Sequence, residues 1–175
     1  MSSVAASCCS PPEPLRGSAA WPVVVVLGAH ADLIRPHLAR LPVLVAENPA
    51  WAEGLASSLR TGLAMLQEFS RTLDAALVAL VDQPAFSAEV IAQLFAAQRA
   101  TGRSIVAARY AGRLGAPVVF LREHFSALAA LEGDAGARQL LAAQADRVAA
   151  VDLPALAQDL DTLTDIATLH SPASE

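Results

Sequence analysis

The sequence predicts a single α/β domain with a mostly parallel sheet and helices on both of its faces. Short β-branched runs alternate with segments of helical length, and this alternation is typical of strands joined by right-handed helical crossovers. The chain has 175 residues, of which 54% are hydrophobic and 17% charged, so it can bury one sizeable core. Sheets of this kind bind ligands beyond the carboxyl ends of their strands.

Periodicity and turn signals place each element in order. A β-branched run ended by Gly28 predicts a buried first strand, and leucines at helical spacing after Gly54 predict a long amphipathic helix. Ser87 precedes an apolar helical pattern as an N-cap. Strands are expected at 23–27, 43–46, 75–81, 104–108, 117–121 and 147–153, and helices at 31–40, 54–69, from 87, at 122–131, 135–145 and 162–169.

Residues 1–20 differ in composition from the rest of the chain. They are rich in Ser, Pro and Ala, and Pro11, Pro12 and Pro14 disfavour a packed element. We therefore expect a disordered tail at 1–20, a domain at 21–170 and a short tail at 171–175.

Charge and composition exclude several classes of partner. All 12 basic residues are arginine and the net charge is -5, which argues against nucleic acid as a partner. No apolar run approaches the ~20 residues of a membrane-spanning helix. The two adjacent cysteines, Cys8 and Cys9, predict a reducing, cytoplasmic location. Residues 16–31 loosely resemble an export signal, but Glu13 and Pro22 argue against that alternative.

Two groups of aspartates are candidate metal ligands. Asp82 follows an apolar run, and at the end of a strand its carboxylate would enter the ligand crevice, where Mg²⁺ needs only one or two carboxylates. Position alone equally allows a helix cap or a turn. Asp161 lies in a second cluster with Asp159 and Asp165, and there an N-cap role before Thr162 is the stronger interpretation from position.

A glycine and two serines begin the long helix. Gly54, Ser57 and Ser58 could offer backbone N–H groups and hydroxyls to a polar ligand, or could form a loop with serine caps. Asp134, in a second glycine-containing segment, is open to the same two interpretations.

Taken in order, these segments resemble the MobA-like nucleotidyltransferases, in particular the molybdenum-cofactor cytidylyltransferase branch. The resemblance spans residues 21 to 169 and rests on six weak motifs in the right order. They are Val24-Val25-Val26-Leu27-Gly28, then Asn48-Pro49 with Trp51, Gly54, Ser57-Ser58-Leu59 and Gly62-Leu63, then Asp82-Gln83-Pro84, Tyr110 with Gly112 and Gly115-Ala116-Pro117-Val118, Gly133-Asp134 with Gly136-Ala137-Arg138, and Asp159-Leu160-Asp161-Thr162 with Asp165.

The resemblance implies a Rossmann-like three-layer α/β/α sandwich of the nucleotide-diphospho-sugar transferase type. It implies transfer of a nucleoside monophosphate from CTP or GTP to a phosphorylated acceptor such as molybdopterin, with release of pyrophosphate. Asp82 and Asp161 would be the catalytic, Mg²⁺-binding pair. The nucleotide would lie near Gly54, Ser57 and Ser58, and the acceptor side would include Gly115, Pro117, Asp134 and Arg138.

The sequence also departs from the family's pattern. The family opens with a strand and a Gly-rich loop with an arginine and a lysine, whereas residues 1–20 contain no such loop and the sequence has no lysine. Its first strand is therefore expected to be missing, and Ala116 stands where the family usually has histidine. A wrong start or a frameshift in the gene model would explain this. The alternative function is an inactive truncated homologue that binds a partner protein or a second copy; a sugar-nucleotide transferase is a weaker one.

Overall fold

The computed structural model describes residues 3–6, 20–134 and 136–157, and their strands form one seven-stranded sheet in the order β3-β2-β1-β4-β6-β5-β7. Four pairs of neighbours are antiparallel and two are parallel, so β1 and β6 run against the other five strands. The strands are β1 Ser3–Ala6, β2 Val23–Leu27, β3 Leu44–Glu47, β4 Ala75–Leu80, β5 Ile105–Tyr110, β6 Arg113–Leu121 and β7 Val148–Asp152.

Helices connect most of these strands, as the sequence predicted. Ser87 is the N-cap of α3, and its side chain accepts a hydrogen bond from the backbone N–H of Val90 at 3.4 Å. The α-helices are α1 Ala31–Leu38, α2 Leu55–Phe69, α3 Ala88–Thr101, α4 Phe125–Ala129 and α5 Gly136–Ala143, and short 3-10 helices cover Trp51–Glu53, Arg122–His124, Ala145–Arg147 and Pro154–Ala157. The helix predicted at 162–169 lies outside the described residues.

The core lies on both faces of the sheet, which gives three layers. Alternate residues of β4 point to opposite faces, so Val78 packs with α2, α4 and α5, whereas Leu77 packs with α3. Leu66 and Leu128 on one face and Leu94 on the other are fully buried. The predicted three-layer α/β/α sandwich is confirmed.

The prediction that residues 1–20 contain no packed element was wrong for Ser3–Ala6. This segment forms β1 and pairs antiparallel with both β2 and β4. A gap between β2 and β4 would leave the backbone N–H and C=O groups of both strands unpaired, and four residues without any periodicity are enough to fill it. The position expected to lack a strand is therefore occupied, by a strand of opposite direction to its neighbours.

Strand β6 begins four residues earlier than the predicted 117. Ala111 and Gly112 both have positive φ, 47° and 73°, as a two-residue hairpin turn requires. The turn brings Arg113 opposite Tyr110 and Leu114 opposite Arg109. The residues between Gly112 and Pro117, which lie outside the strands predicted from the sequence, therefore belong to the sheet.

Candidate functional site

The site is at the sheet edge where β2 and β4 end. Ala29 follows β2 and Asp82 follows β4, and β1 lies between the two strands. Strands are about 4.8 Å apart, so two spacings separate the ends of β2 and β4 by about 10 Å. Ligands of such sheets bind at this edge, and the separation suits an extended ligand that spans it.

Asp82 is half-buried in the turn that leads from β4 to α3. Because Ser87 itself caps α3, the alternative in which Asp82 caps that helix is wrong. A half-buried carboxylate at the end of a strand has the chemistry of a Mg²⁺ ligand, since Mg²⁺ takes one or two carboxylates and fills its other positions with water and phosphate oxygens.

Gln83, the next residue, is 4% exposed, and its side chain points along this edge toward β5, β6 and the segment after β7. Its side-chain N–H₂ group lies 3.0 Å from Tyr110 Oη on β5, 3.2 Å from Ala116 O on β6 and 3.4 Å from Leu156 O after β7. Its Oε1 has no hydrogen-bond partner among the described residues. One buried amide thus connects the Asp82 turn to two other strands and to the short helix after β7.

A second buried amide organises the β2 side of the edge. Asn48 is 3% exposed and donates from Nδ2 to Ser57 Oγ at 2.8 Å and Ser58 Oγ at 3.0 Å, while its Oδ1 accepts from the backbone N–H of Ala50 at 3.0 Å. Ser57 Oγ donates in turn to Gly54 O at 2.8 Å. The start of α2 is therefore held by side chains from its own neighbourhood.

Next to this segment lies a small open cavity of about 160 Å³. It is lined by Ala29, Trp51, Gly54, Leu55, Ser58 and Asp134. Gly54 has φ +107°, and a Cβ at this position would lie 2.4 Å from Asp134 Oδ1 and 2.7 Å from the backbone of Gly133. Only glycine therefore allows the Asp134 loop to approach α2 so closely.

An ion pair is found at the β7 side of the edge. Arg109 donates from Nε and Nη2 to the two carboxylate oxygens of Asp152 at 2.6 and 2.7 Å. These hydrogen bonds hold the pKa of Asp152 below its usual value. Both side chains are exposed, so the pair is screened by solvent and contributes little to stability.

Comparison with known proteins gives the family. A family model described as "MobA-like NTP transferase domain" matches residues 13–148, well over half of the chain. The chain belongs to this family. It is 33% identical over 152 residues to nicotine blue oxidoreductase of Paenarthrobacter nicotinovorans, an alignment that covers 81% of this chain and 71% of that protein.

Solved structures agree with this family and confirm the Rossmann-like fold. A homolog of Mycobacterium tuberculosis Rv0371c from Mycobacterium sp. strain JC1 superposes with a TM-score of 0.66 at 27% identity, covering 83% of this chain and 72% of that one. Rv0371c of M. tuberculosis H37Rv in complex with manganese gives 0.65 at 26% identity, covering 87% and 80%.

The structure of this MobA-like chain brings some predicted site residues together and separates others. Gly54, Ser58 and Asp134 share the cavity, whereas Ser57 is buried behind it. Asp134 was grouped with the acceptor side, but it lies beside Gly54. Gly115 and Pro117 are buried in β6 on the Gln83 side, and Arg138 is exposed on α5.

Asp161, the other predicted metal ligand, lies outside the described residues. Within residues 3–6, 20–134 and 136–157, no group of three or more His, Cys, Asp or Glu side chains could hold a metal ion. The same part of the chain contains no helix long and apolar enough to cross a membrane.

Sequence reasoning did not assign roles to Asn48, Trp51, Gln83 or Tyr110. Asn48 and Gln83 were named only as members of motifs, the second beside Asp82. Asn48 could have been found from the two serines that follow it closely in the sequence. No local signal indicates the partners of Gln83, because they belong to distant segments.

Proposed function

We propose that this chain is a metal-dependent nucleotidyltransferase that uses CTP in preference to GTP. The acceptor is a small phosphorylated molecule such as molybdopterin, and the reaction takes place in the cytoplasm. An acceptor phosphate oxygen attacks the α-phosphorus of the nucleotide, the bond from that phosphorus to the bridging oxygen breaks, and pyrophosphate leaves. The observation that carries the proposal is the position of Asp82 across the strand ends from the Gly54 cavity, in a chain of the MobA-like family.

The separation of these two features suits a nucleotide. The base occupies the cavity beside Gly54, Ser58 and Asp134, and the triphosphate extends across the strand ends toward Asp82. The distance of about 10 Å between the ends of β2 and β4 matches a ligand with its base at one end and its reacting phosphate at the other.

The size of the cavity suits a nucleobase. Its volume of about 160 Å³ is below the roughly 300–1,000 Å³ of pockets that enclose whole ligands, so it holds a base and leaves the rest of the nucleotide outside. Trp51 is 49% exposed at its wall and offers an aromatic surface to the base. The Asp134 carboxylate can accept a hydrogen bond from an exocyclic amino group.

Asp82 and Asp161 hold the divalent metal in this proposal, with Mg²⁺ as the working ion. An ion held by them would neutralise charge that develops on the phosphates. Leu156 O is anchored by Gln83, the residue next to Asp82, and only residues 157–160 separate it from Asp161. At about 3.5 Å per residue, Asp161 is within reach of the same edge. The manganese complex of Rv0371c supports a divalent metal.

The acceptor side comprises residues of β6 and α5 in this proposal. Gly115 and Pro117 belong to the β6 segment beside Gln83, and Arg138 offers an exposed guanidinium, the group that best matches a phosphate. Asp134, which the resemblance grouped with them, serves the base in this proposal.

Calorimetric titration with CTP and GTP, with and without Mg²⁺, tests the proposal together with an assay for pyrophosphate release. We expect Asp82→Asn to reduce metal-dependent CTP binding and turnover by at least about 100-fold without loss of the fold. Asp74→Asn is the matched control, because Asp74 is an exposed aspartate at the opposite end of β4. Equal activity of Asp82→Asn and Asp74→Asn would contradict the metal assignment.

An oxidoreductase is the second candidate, favoured by the 33% identity to nicotine blue oxidoreductase. In that case the Gly54 cavity would take part of a redox substrate, and an added reductant would supply the electrons. Reduction of nicotine blue by such a reductant in the presence of the chain, without pyrophosphate release from CTP, would favour this candidate. Nucleotide binding with neither reaction would favour the non-catalytic binding domain.

A further inference from the structure

We propose that Gln83 is a positioning residue that locks the Asp82 turn and the segment after β7 into one unit. The inference that this lock affects the metal rests on the proposed function, whereas the lock itself does not. Gln83 makes no contact with the reacting atoms in this proposal, and it acts through the two segments that it joins.

The oxygen atoms around the Gln83 side chain require an amide at this position. Ala116 O and Leu156 O are carbonyl oxygens, which only accept hydrogen bonds, so the side-chain nitrogen must face them. Tyr110 Oη, 3.0 Å from the same nitrogen, is the third acceptor. A glutamate would place a carboxylate against two carbonyl oxygens, and a methionine would provide no donor. The amide nitrogen has two hydrogens, which it shares among the three acceptors.

Strand β6 is shaped to present its carbonyl to Gln83. Ala107 pairs with Val118 but Ala108 pairs with Gly115, so the register shifts and Ala116 and Pro117 have no Cα partner on β5. A bulge of this kind re-aims backbone groups that a regular ladder would use. Ala116 O is thereby available to the buried amide.

Gly115 has a matching role beside the bulge. A Cβ at this position would lie 2.7 Å from Tyr110 Oη, so a larger residue would displace the hydroxyl that Gln83 contacts. Tyr110 is itself 6% exposed, and its ring belongs to the apolar cluster on the α3 face. Gly115, which the resemblance placed on the acceptor side, thus has a structural reason for being glycine.

The lock joins the two parts of the chain that carry the proposed metal ligands. Asp82 immediately precedes Gln83 in the sequence, and Leu156 precedes Asp161 by five residues. The partners of Gln83 lie 27, 33 and 73 residues away, so the amide makes a long-range connection. Without it, the segment after Leu153 loses its hydrogen bond to the Asp82 turn, so the backbone at Leu156 is no longer fixed relative to Asp82.

Gln83→Met tests the inference, because methionine keeps the length of the side chain and removes its donors. Gln93→Met is the matched control, since Gln93 is exposed on α3 and its side chain donates a hydrogen bond to the neighbouring Glu89 at 3.4 Å. The two readouts are amide hydrogen exchange, followed by mass spectrometry, and Mn²⁺ affinity measured by calorimetry.

For Gln83→Met we expect exchange at residues 113–117 and 153–157 to accelerate at least about tenfold, and Mn²⁺ affinity to fall about tenfold. Gln93→Met should change neither. Unchanged exchange at 153–157, or accelerated exchange spread evenly over the whole chain, would overturn the inference.

Tyr110→Phe keeps the test decisive where Gln83→Met does not fold. It removes one of the three acceptors and retains the ring, so we expect a smaller acceleration of exchange, about threefold, confined to the same two segments. No acceleration there would overturn the inference. If the unmodified chain binds neither Mn²⁺ nor CTP, the proposed function fails, and hydrogen exchange in Gln83→Met still decides whether the lock exists.

Discussion

Two buried amides organise the two halves of the candidate site, and they do so over very different distances along the chain. Asn48 bonds to Ser57 and Ser58, nine and ten residues away, and to its near neighbour Ala50. Gln83 bonds to partners 27, 33 and 73 residues away. We call these groups the Asn48 cluster (Asn48, Ala50, Ser57, Ser58) and the Gln83 cluster (Gln83, Tyr110, Ala116, Leu156).

The Asn48 cluster is held by local contacts, whereas the Gln83 cluster depends on tertiary contacts. The Asn48 cluster shapes the loop that walls the proposed base cavity, and both side-chain polar atoms of Asn48 are satisfied there. The Gln83 cluster needs the complete sheet edge, and it leaves Oε1 without a partner among the described residues. We therefore expect damage to the first cluster to affect base binding locally, and damage to the second to affect the joining of distant segments.

The largest effect is expected from Gly54→Ala, beside the Asn48 cluster. Its backbone, at φ 107° and ψ -178°, lies in a region that is nearly restricted to glycine, and the new Cβ would meet both Asp134 Oδ1 and the Gly133 backbone. We expect a loss of about 3 kcal/mol or more in the free energy of unfolding, a fall in Tm of roughly 10 °C, and weaker CTP binding.

Gly102→Ala is the control for the Gly54 substitution. Gly102 also has positive φ, 63°, but nothing lies within 4 Å of its hypothetical Cβ. It should cost only about 1 kcal/mol and leave CTP affinity unchanged. If denaturant unfolding shows equal losses in both variants, the close approach of the Asp134 loop to Gly54 has no energetic importance.

The same contrast explains how much could be predicted from the sequence. The strands and α2 followed from β-branched runs and leucine spacing, and Ser87 from a local capping pattern, because the physics of these features is confined to a few residues. Strand β1 could not be predicted, since its four residues carry no periodicity and form a strand only because β2 and β4 flank them. The Gln83 cluster was missed for the same reason.

Asn48→Leu is expected to have the second-largest effect. Leucine has a similar size but removes the donor to both serines and the acceptor for the N–H of Ala50, so we expect a loss of about 2 kcal/mol. Hydrogen exchange should accelerate within residues 48–58 and stay unchanged at 153–157, the reverse of the pattern expected for Gln83→Met. Accelerated exchange at 153–157 would show that the two clusters are not independent.

The smallest effect is expected from His124, a buried polar residue at the opposite edge of the sheet from the candidate site. It tests whether a buried polar side chain far from the site affects nucleotide binding. His124 is 3% exposed, and its Nε2 is 2.9 Å from Ser104 Oγ. Burial lowers the pKa of His124 from its ordinary 6.5; nearby Glu123 opposes this shift and Arg147 adds to it. Below that pH the unfolded chain binds a proton that the folded protein resists, so stability should fall as the pH drops through about 6.5.

Urea unfolding at pH 7.5 and 5.5 should show this loss in the unmodified chain and a smaller one in His124→Gln, whereas CTP affinity at pH 7.5 should be the same in both. A change in CTP affinity would mean that His124 is coupled to the candidate site through the core of the sheet. Buried polar groups would then influence binding from either edge, and the contrast between the Asn48 and Gln83 clusters would not depend on their distance along the chain alone.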